Sequence, residues 1–264
     1  MRSDLDADQQ ATGTVGSTDD RVPAVVVDDV HVTYKAYVDT RPTLRQLVAK
    51  RFRSRDHREI HAVQGVSFTV MPGETVGLIG RNGSGKSTLL RTIGGLLPPT
   101  KGTVHTHSTP LLLTVGAALQ KDLSGRRNII LGGTAIGIPK AELDERMDDI
   151  IDFTGLRHAI DRPLRTYSSG MAARLRFGIA TAVIPEILLV DEALATGDAE
   201  FKDRAKEKID EIIQGAGTVF VVAHSMSELR KMCDRVIWLD QGRVVLDGDA
   251  TPVVRAYRSA MKKG

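Results

Sequence analysis

The segment Gly80-Arg81-Asn82-Gly83-Ser84-Gly85-Lys86-Ser87-Thr88 constrains this chain more than any other. Glycine at 80, 83 and 85 lets main-chain N–H groups curl around a phosphate without Cβ clashes, and Lys86 supplies a point charge for the outer phosphate oxygens. The Ser87 hydroxyl is left to meet Mg²⁺. Thr75-Val76-Gly77-Leu78-Ile79 before it reads as a buried strand, and Ser87-Thr88-Leu89-Leu90-Arg91 as a helix start whose dipole favours an anion. A glycine-rich turn without a ligand is the competing account. Agreement of strand, loop and helix argues against it.

The 264-residue chain is long enough for a large α/β domain, and 41% of it is hydrophobic, as ordinary globularity requires. No apolar run approaches the roughly 20 residues of a transmembrane helix, and Met1-Arg2-Ser3-Asp4-Leu5-Asp6 carries no signal-peptide core. A soluble, cytosolic chain is expected. The net charge of +3 does not by itself call for nucleic acid. The single cysteine, Cys233, excludes an intrachain disulfide or multi-cysteine metal site and is expected as a small buried hydrophobe.

Residues 1–22 are polar and unpatterned and read as a disordered leader, with 23–264 as one domain. Strands are expected at Ala24–Val30 and Val63–Val70. Between them, Arg41, Arg45, Lys50, Arg51, Arg53, Arg55 and Arg58 face only Asp56 and Glu59, a basic insertion over about 36–60. Leu44, Leu47, Val48 and Phe52 within it have near-helical spacing, predicting a short amphipathic helix after Pro42. A turn follows at Pro98–Gly102, and from about 121 to 184 the pattern is helical, with Leu143, Met147, Ile150 and Ile151 on one face and a further helix over Met171–Val183. Buried strands then recur at Ile187–Val190 and Thr218–Ala223, separated by a helix bearing Phe201, Ala205, Ile209, Ile212 and Ile213. Gln241-Gly242 marks a hairpin between Val236–Leu239 and Val244–Leu246, and Val253, Val254, Ala256 and Tyr257 mark a helical tail. The fold class is α/β: a mostly parallel sheet in a P-loop NTPase (RecA-like) core, with an N-terminal antiparallel β-region and an inserted helical subdomain.

Asp191, at the end of an apolar strand, is placed to hold Mg²⁺ opposite Ser87. Glu192, one residue on, is the candidate general base for a water attacking the γ-phosphate; the alternative for the pair is a helix-start cap. His224 ends the next strand, where an imidazole N–H can donate to the γ-phosphate; the alternative is a core histidine. In Tyr167-Ser168-Ser169-Gly170-Met171, ahead of a helix with Arg174 and Arg176, Ser169 can cap N–H groups or meet a phosphate, and Gly170 allows close approach. One chain cannot easily aim two helix starts at one phosphate from separate subdomains. The turn is therefore expected to serve the nucleotide of a second copy.

The ordered set GRNGSGKST, YSSGM, ILLVDE, Ala195-Thr196-Gly197-Asp198 and His224 resembles the nucleotide-binding subunit of ATP-binding cassette (ABC) transporters over about residues 24–250. The resemblance implies that these are the Walker A, signature, Walker B, D-loop and switch histidine. It implies that two copies sandwich two ATP molecules with Mg²⁺, each site closed by the other copy's signature, and that closure moves a polytopic membrane permease. Tyr34 aligns with the aromatic that stacks on adenine; Tyr37 is the reserve, and core packing competes for either.

This sequence departs from most members in carrying Ser168-Ser169-Gly170-Met171 for Ser-Gly-Gly-Gln. Val115 or Gly116 stands where a metal-contacting glutamine is usual, and Gln120 falls a few residues late. Together with the basic insertion, these departures resemble the branch exporting O-antigen, teichoic acid or galactan on polyprenyl pyrophosphate carriers. The resemblance implies an ATPase at the cytoplasmic face of the plasma membrane, with the insertion near anionic lipid or the lipid-linked glycan. A solvated charged face is the plainer account of those arginines. The chain ends at Gly264 without the added β-domain of longer members, so glycan selection is not expected here. A soluble cassette acting on ribosomes or nucleic acid, and a small-molecule transporter subunit, are the rival readings; no double cassette or coiled coil supports the former.

Overall fold

Valines alternating along the first strand change parity once, at a bulge that keeps all of them in one core. A computed structural model describes residues 22–37, 57–113, 119–191, 199–222 and 225–262. Strand β1 (Val25–Tyr37) buries Val25 and Val27, then Val30 and Val32. The parity slips at a bulge where Asp29 adopts φ 44°. Its antiparallel partner β2 (His57–Val70) buries Val63, then Val66, Phe68 and Val70. The remaining described elements are β3 (Thr75–Ile79), α1 (Lys86–Ile93), β4 (Lys101–Thr106), β5 (Leu111–Leu113), α2 (Gly125–Ala135), α3 (Lys140–Glu145), α4 (Met147–Thr154) and α5 (Ser169–Ala180). They continue with β6 (Ile187–Val190), α6 (Ala199–Gly215), β7 (Thr218–Val222), α7 (Met226–Met232), β8 (Arg235–Asp240), β9 (Arg243–Asp249) and α8 (Ala250–Met261).

Two sheets result. The N-terminal one is antiparallel in the order β2-β1-β4; the larger runs β5-β6-β7-β3-β8-β9, parallel except for the terminal β8–β9 hairpin. Every residue of β6 and β7 is buried, as strands covered on both faces must be. One apolar cluster joins the antiparallel sheet and α1 to the parallel sheet, with Phe68 and Phe220 at 6.3 Å. A second lies on the other face, beneath α7 and α8. Helices α2 to α5 enclose a cluster of their own, including Ile129, Leu143, Ile151 and Leu175. Asn128, fully buried in α2, donates to the carbonyls of Gln120, Leu123 and Ser124 and accepts from the Gln120 N–H, so one side chain fixes the approach to these helices.

Several boundaries differ from the sequence expectation. β1 and β2 pair as far as Tyr37 and His57, so strand takes in both ends of the 36–60 segment. The helix expected after Pro42 lies outside the described residues. The helix placed at Met171–Val183 runs Ser169–Ala180, because Ser168 caps it two residues earlier. β4 and β5 had no counterpart in the sequence reading: β4 alternates only exposed and half-buried residues, and β5 has three residues.

Cys233 is buried against β3, as its expected hydrophobe role requires, and burial pushes its thiol up to about 12, with Asp234 adding to the rise. The folded state therefore favours the neutral thiol. Its contribution to stability is complete below the ordinary thiol value of 9.0 and is lost as pH climbs toward about 12. A thiol-reactive dye at pH 8 is expected to label Cys233 only after denaturant unfolds the chain. Rapid labelling of the native protein would contradict this burial.

Candidate functional site

The phosphate loop lies between β3 and α1 and is held from behind by main chain. Gly85 adopts φ 104°, and a Cβ there would collide with the carbonyl oxygen of Ala62 in β2. Gly83 is also left-handed, at φ 80°, but a Cβ there meets nothing within 4 Å. The β8–β9 turn closes the back: Gly242 N–H donates to the Ser84 carbonyl at 3.0 Å, and Gln64 N–H donates to the Gly242 carbonyl at 2.8 Å. The Gln64 side-chain amide donates to the Gln241 carbonyl at 2.7 Å. Arg235 anchors this hairpin with a two-pronged pair to Asp247, both at 2.7 Å, and further bonds to Glu74 and the Thr69 carbonyl.

The Lys86 ammonium folds over the loop, donating to the carbonyls of Gly80 at 2.8 Å and Arg81 at 3.0 Å. Partial burial pulls its pKa below the ordinary lysine value, and nearby Asp191 opposes that shift. A polyphosphate arriving here would replace two neutral carbonyls with anionic oxygens and favour the charged lysine. The cleft in front, about 480 Å³, is lined by Tyr34, Asn82, Gly83, Gly85, Lys86, Ser87, Thr88 and Asp191 together with Ile60, His61, Ala62 and Val222. Tyr34 is 38% exposed, which rules out core packing, and stands directly across the β-ladder from Ile60. The buried Ser84 hydroxyl, which lies beside Gly80 and does not line the cleft, has no hydrogen-bond partner among the described residues.

A second concavity, about 380 Å³, lies among the helices and is lined by Lys121, Arg165, Tyr167, Ser168, Ser169 and Arg176, sharing no residue with the first. The cap of α5 is Ser168, not Ser169: the Ser168 hydroxyl accepts from Met171 N–H at 3.2 Å. Ser169 opens the helix. Its two arginines part company, for Arg176 lines the concavity while Arg174 packs over the Phe201 ring at 5.4 Å. Phe201 also meets Phe153 and Phe177 edge-on, both at 5.7 Å, tying the start of α6 to α4 and α5.

The family model described as "ABC transporter" matches residues 63–195. An O-antigen export system ATP-binding protein, RfbB of Klebsiella pneumoniae, is 38% identical over 243 residues, 90% of this chain and 99% of that protein. The chain belongs to the ABC transporter family. It is accordingly an ATP-binding cassette ATPase. The teichoic acids export ATP-binding protein TagH of Bacillus anthracis is 39% identical over 235 residues, 88% of this chain but 42% of that longer protein. In fold, the cassette matches a solved dimeric ATP-binding cassette in a post-hydrolysis state bound to ADP and Pi, with a TM-score of 0.61 and 22% identity, over 86% of this chain and 98% of that one.

ATP fits the cassette's first cleft, which offers a side-chain-free glycine lip, a lysine and an exposed tyrosine on one wall. Ser87 and Asp191 both line the cleft, a hydroxyl and a carboxylate of the kind Mg²⁺ prefers. Gln120 does not line it; its exposed side chain sits beyond a backbone fixed by Asn128. Glu192, Asp198 and His224, with Val115 and Gly116, lie outside the described residues. The sequence reading missed Ile60, His61, Ala62 and the Gln241-Gly242 turn as parts of the site. Gln241 at φ 46° and Gly242 at φ 78° were legible as a hairpin, but nothing in their spacing tells which loop the hairpin supports.

Gly85→Ala is expected to cost about 2 kcal/mol or more, from the left-handed strain plus the Ala62 clash, and to abolish nucleotide binding. Gly83→Ala is expected to cost about 1 kcal/mol, from strain alone. Chemical denaturation and fluorescent-nucleotide titration of the two variants check this, and equal destabilisation would contradict the close approach at Gly85.

Proposed function

We propose that this ATPase powers export of a polyprenyl-pyrophosphate-linked polysaccharide through a separate polytopic permease. The observation that carries the reading is the match to an O-antigen export ATP-binding protein along 99% of that protein's length, joined to a cleft with the chemistry of a nucleotide site. Among the described residues no helix is long and apolar enough to cross a membrane, which accords with a partner that supplies the path.

In this reading Tyr34 stacks on adenine, while the N–H groups of Gly80 to Thr88, with Asn82, Gly83, Ser84 and Gly85, cradle the phosphates. Lys86 leaves its two carbonyl acceptors for the β and γ oxygens. Ser87 and Asp191 hold Mg²⁺, which when bound neutralises charge developing on those oxygens. Glu192 takes a proton from the attacking water, His224 donates to the γ-phosphate, and Asp198 contacts the nucleotide across the closed dimer.

A second copy supplies Ser169 and Gly170. Support comes from the separation of the two concavities: the α5 start serves a different space from its own chain's phosphate loop. The arginine-rich segment between Arg41 and Glu59 meets anionic lipid or the carrier's pyrophosphate at the cytoplasmic face of the plasma membrane. No nucleic acid is required.

Glu192→Gln is expected to lower ATP turnover about 100-fold or more while leaving ATP affinity intact and trapping dimers. In cells the same substitution should leave the lipid-linked glycan on the cytoplasmic leaflet. Retained hydrolysis would remove Glu192 from its role. Normal glycan export alongside dead hydrolysis would remove the export assignment.

A further inference from the structure

Away from both concavities, α7 and α8 meet around a space of about 310 Å³ whose charged lining is Arg230, Arg255, Arg258 and Lys262, with no carboxylate. Val254 floors the space, and the other face of α8 is held by buried Val253 and by Tyr257, which packs edge-on against Trp238 at 5.4 Å. Thr251, Arg255, Arg258, Ser259 and Lys262 recur at helical spacing and so share one face, while Arg230 approaches from the end of α7.

Among the described residues, none of the four cationic groups has an ion pair or side-chain hydrogen bond, whereas Arg126, Arg146, Arg157, Arg165 and Arg235 all pair with carboxylates. Like charges three and four residues apart on a helix repel, so Arg255, Arg258 and Lys262 weaken α8 until something neutralises them. Two guanidinium forks from one helix, a third from another, an ammonium and the Thr251 hydroxyl form a donor set suited to phosphate oxygens, which accept several charged bonds at once; the Ser259 hydroxyl donates instead to the Arg255 carbonyl at 3.0 Å.

We propose that this space is a second phosphate site, separate from the nucleotide cleft, which takes a compact phosphorylated anion of about diphosphate size. The site has a route to the phosphate loop. Arg81, in that loop, donates through Nε to the Met261 sulfur at 3.3 Å, one residue before Lys262. An anion that orders the last turn of α8 also fixes what Arg81 rests upon. The inference stands whether or not the cassette exports a glycan.

Trp238 is the only tryptophan and packs on α8 from the face away from the site, so its fluorescence reports ordering of that helix. The full-length chain, its cleft filled with excess ADP, is titrated with inorganic pyrophosphate by calorimetry and by Trp238 emission. Saturable binding with a change in emission is expected, weakened about tenfold or more by Arg255→Glu with Arg258→Glu, and also by Arg230→Gln on the facing helix. The neutral pair Arg255→Gln with Arg258→Gln, which relieves repulsion and so preserves the helix, is expected to show the same loss. ADP affinity should not change in any of them, and Lys206→Glu, on the exposed face of α6, should leave pyrophosphate binding intact. Vesicles of phosphatidylglycerol, compared with phosphatidylcholine, form a second arm. Vesicle binding that needs these arginines, without pyrophosphate binding, assigns the site to a lipid phosphate; pyrophosphate binding assigns it to a soluble one. Absence of both, or binding that the arginine variants leave unchanged, overturns the proposal.

Discussion

The carbonyl of Ala62 stands where any side chain on Gly85 would go, and much of this cassette's architecture serves that close approach. A loop that offers its N–H groups to a ligand must have its other side occupied, or it collapses onto its own carbonyls. Here the other side is β2 and the Gln241-Gly242 turn, the latter bonded to Ser84 and Gln64. Arg235 in turn ties that hairpin to Glu74 and Thr69, at the junction of the two sheets. The antiparallel sheet thus closes the phosphate loop from behind and also carries Tyr34 to the cleft's opposite wall.

Strong, local patterns made the parallel core legible. Ile187–Val190 and Thr218–Val222 are apolar throughout because both faces are covered, and the glycine loop has its strand and helix on either side. Weak patterns hid the rest. β4 exposes half its residues, β5 is too short to show a period, and α7 has seven residues. The early start of α5 depended on which of two adjacent serines caps it, a choice set by backbone geometry that composition does not encode. At the site, residue type singled out the loop and Asp191, and the family resemblance singled out Tyr34; all three line the cleft. Ala62 and Gly242 were not, since they contribute only main chain, and a carbonyl leaves no mark in a sequence.

The helices α2 to α5 form a second concavity around Ser169, and the Phe153, Phe177 and Phe201 cluster ties these helices to α6. Edge-on rings and the guanidinium of Arg174 over Phe201 give this contact a preferred geometry beyond simple burial. In the proposed dimer, this cluster would couple the α5 start to α6 when nucleotide draws two copies together.

Sharing of one site between two copies is the central claim, and complementation tests it most directly. Lys86→Ala and Ser169→Arg chains, each inactive alone, are mixed and assayed for ATP hydrolysis. A mixed dimer contains one intact site, formed by the phosphate loop of the Ser169→Arg chain and the α5 start of the Lys86→Ala chain. The account predicts that mixing restores turnover to about a quarter of the wild-type rate, the statistical share of such sites when dimers form at random and each site works independently. Turnover that stays at the level of the separate variants, in mixtures shown to contain mixed dimers, would contradict it.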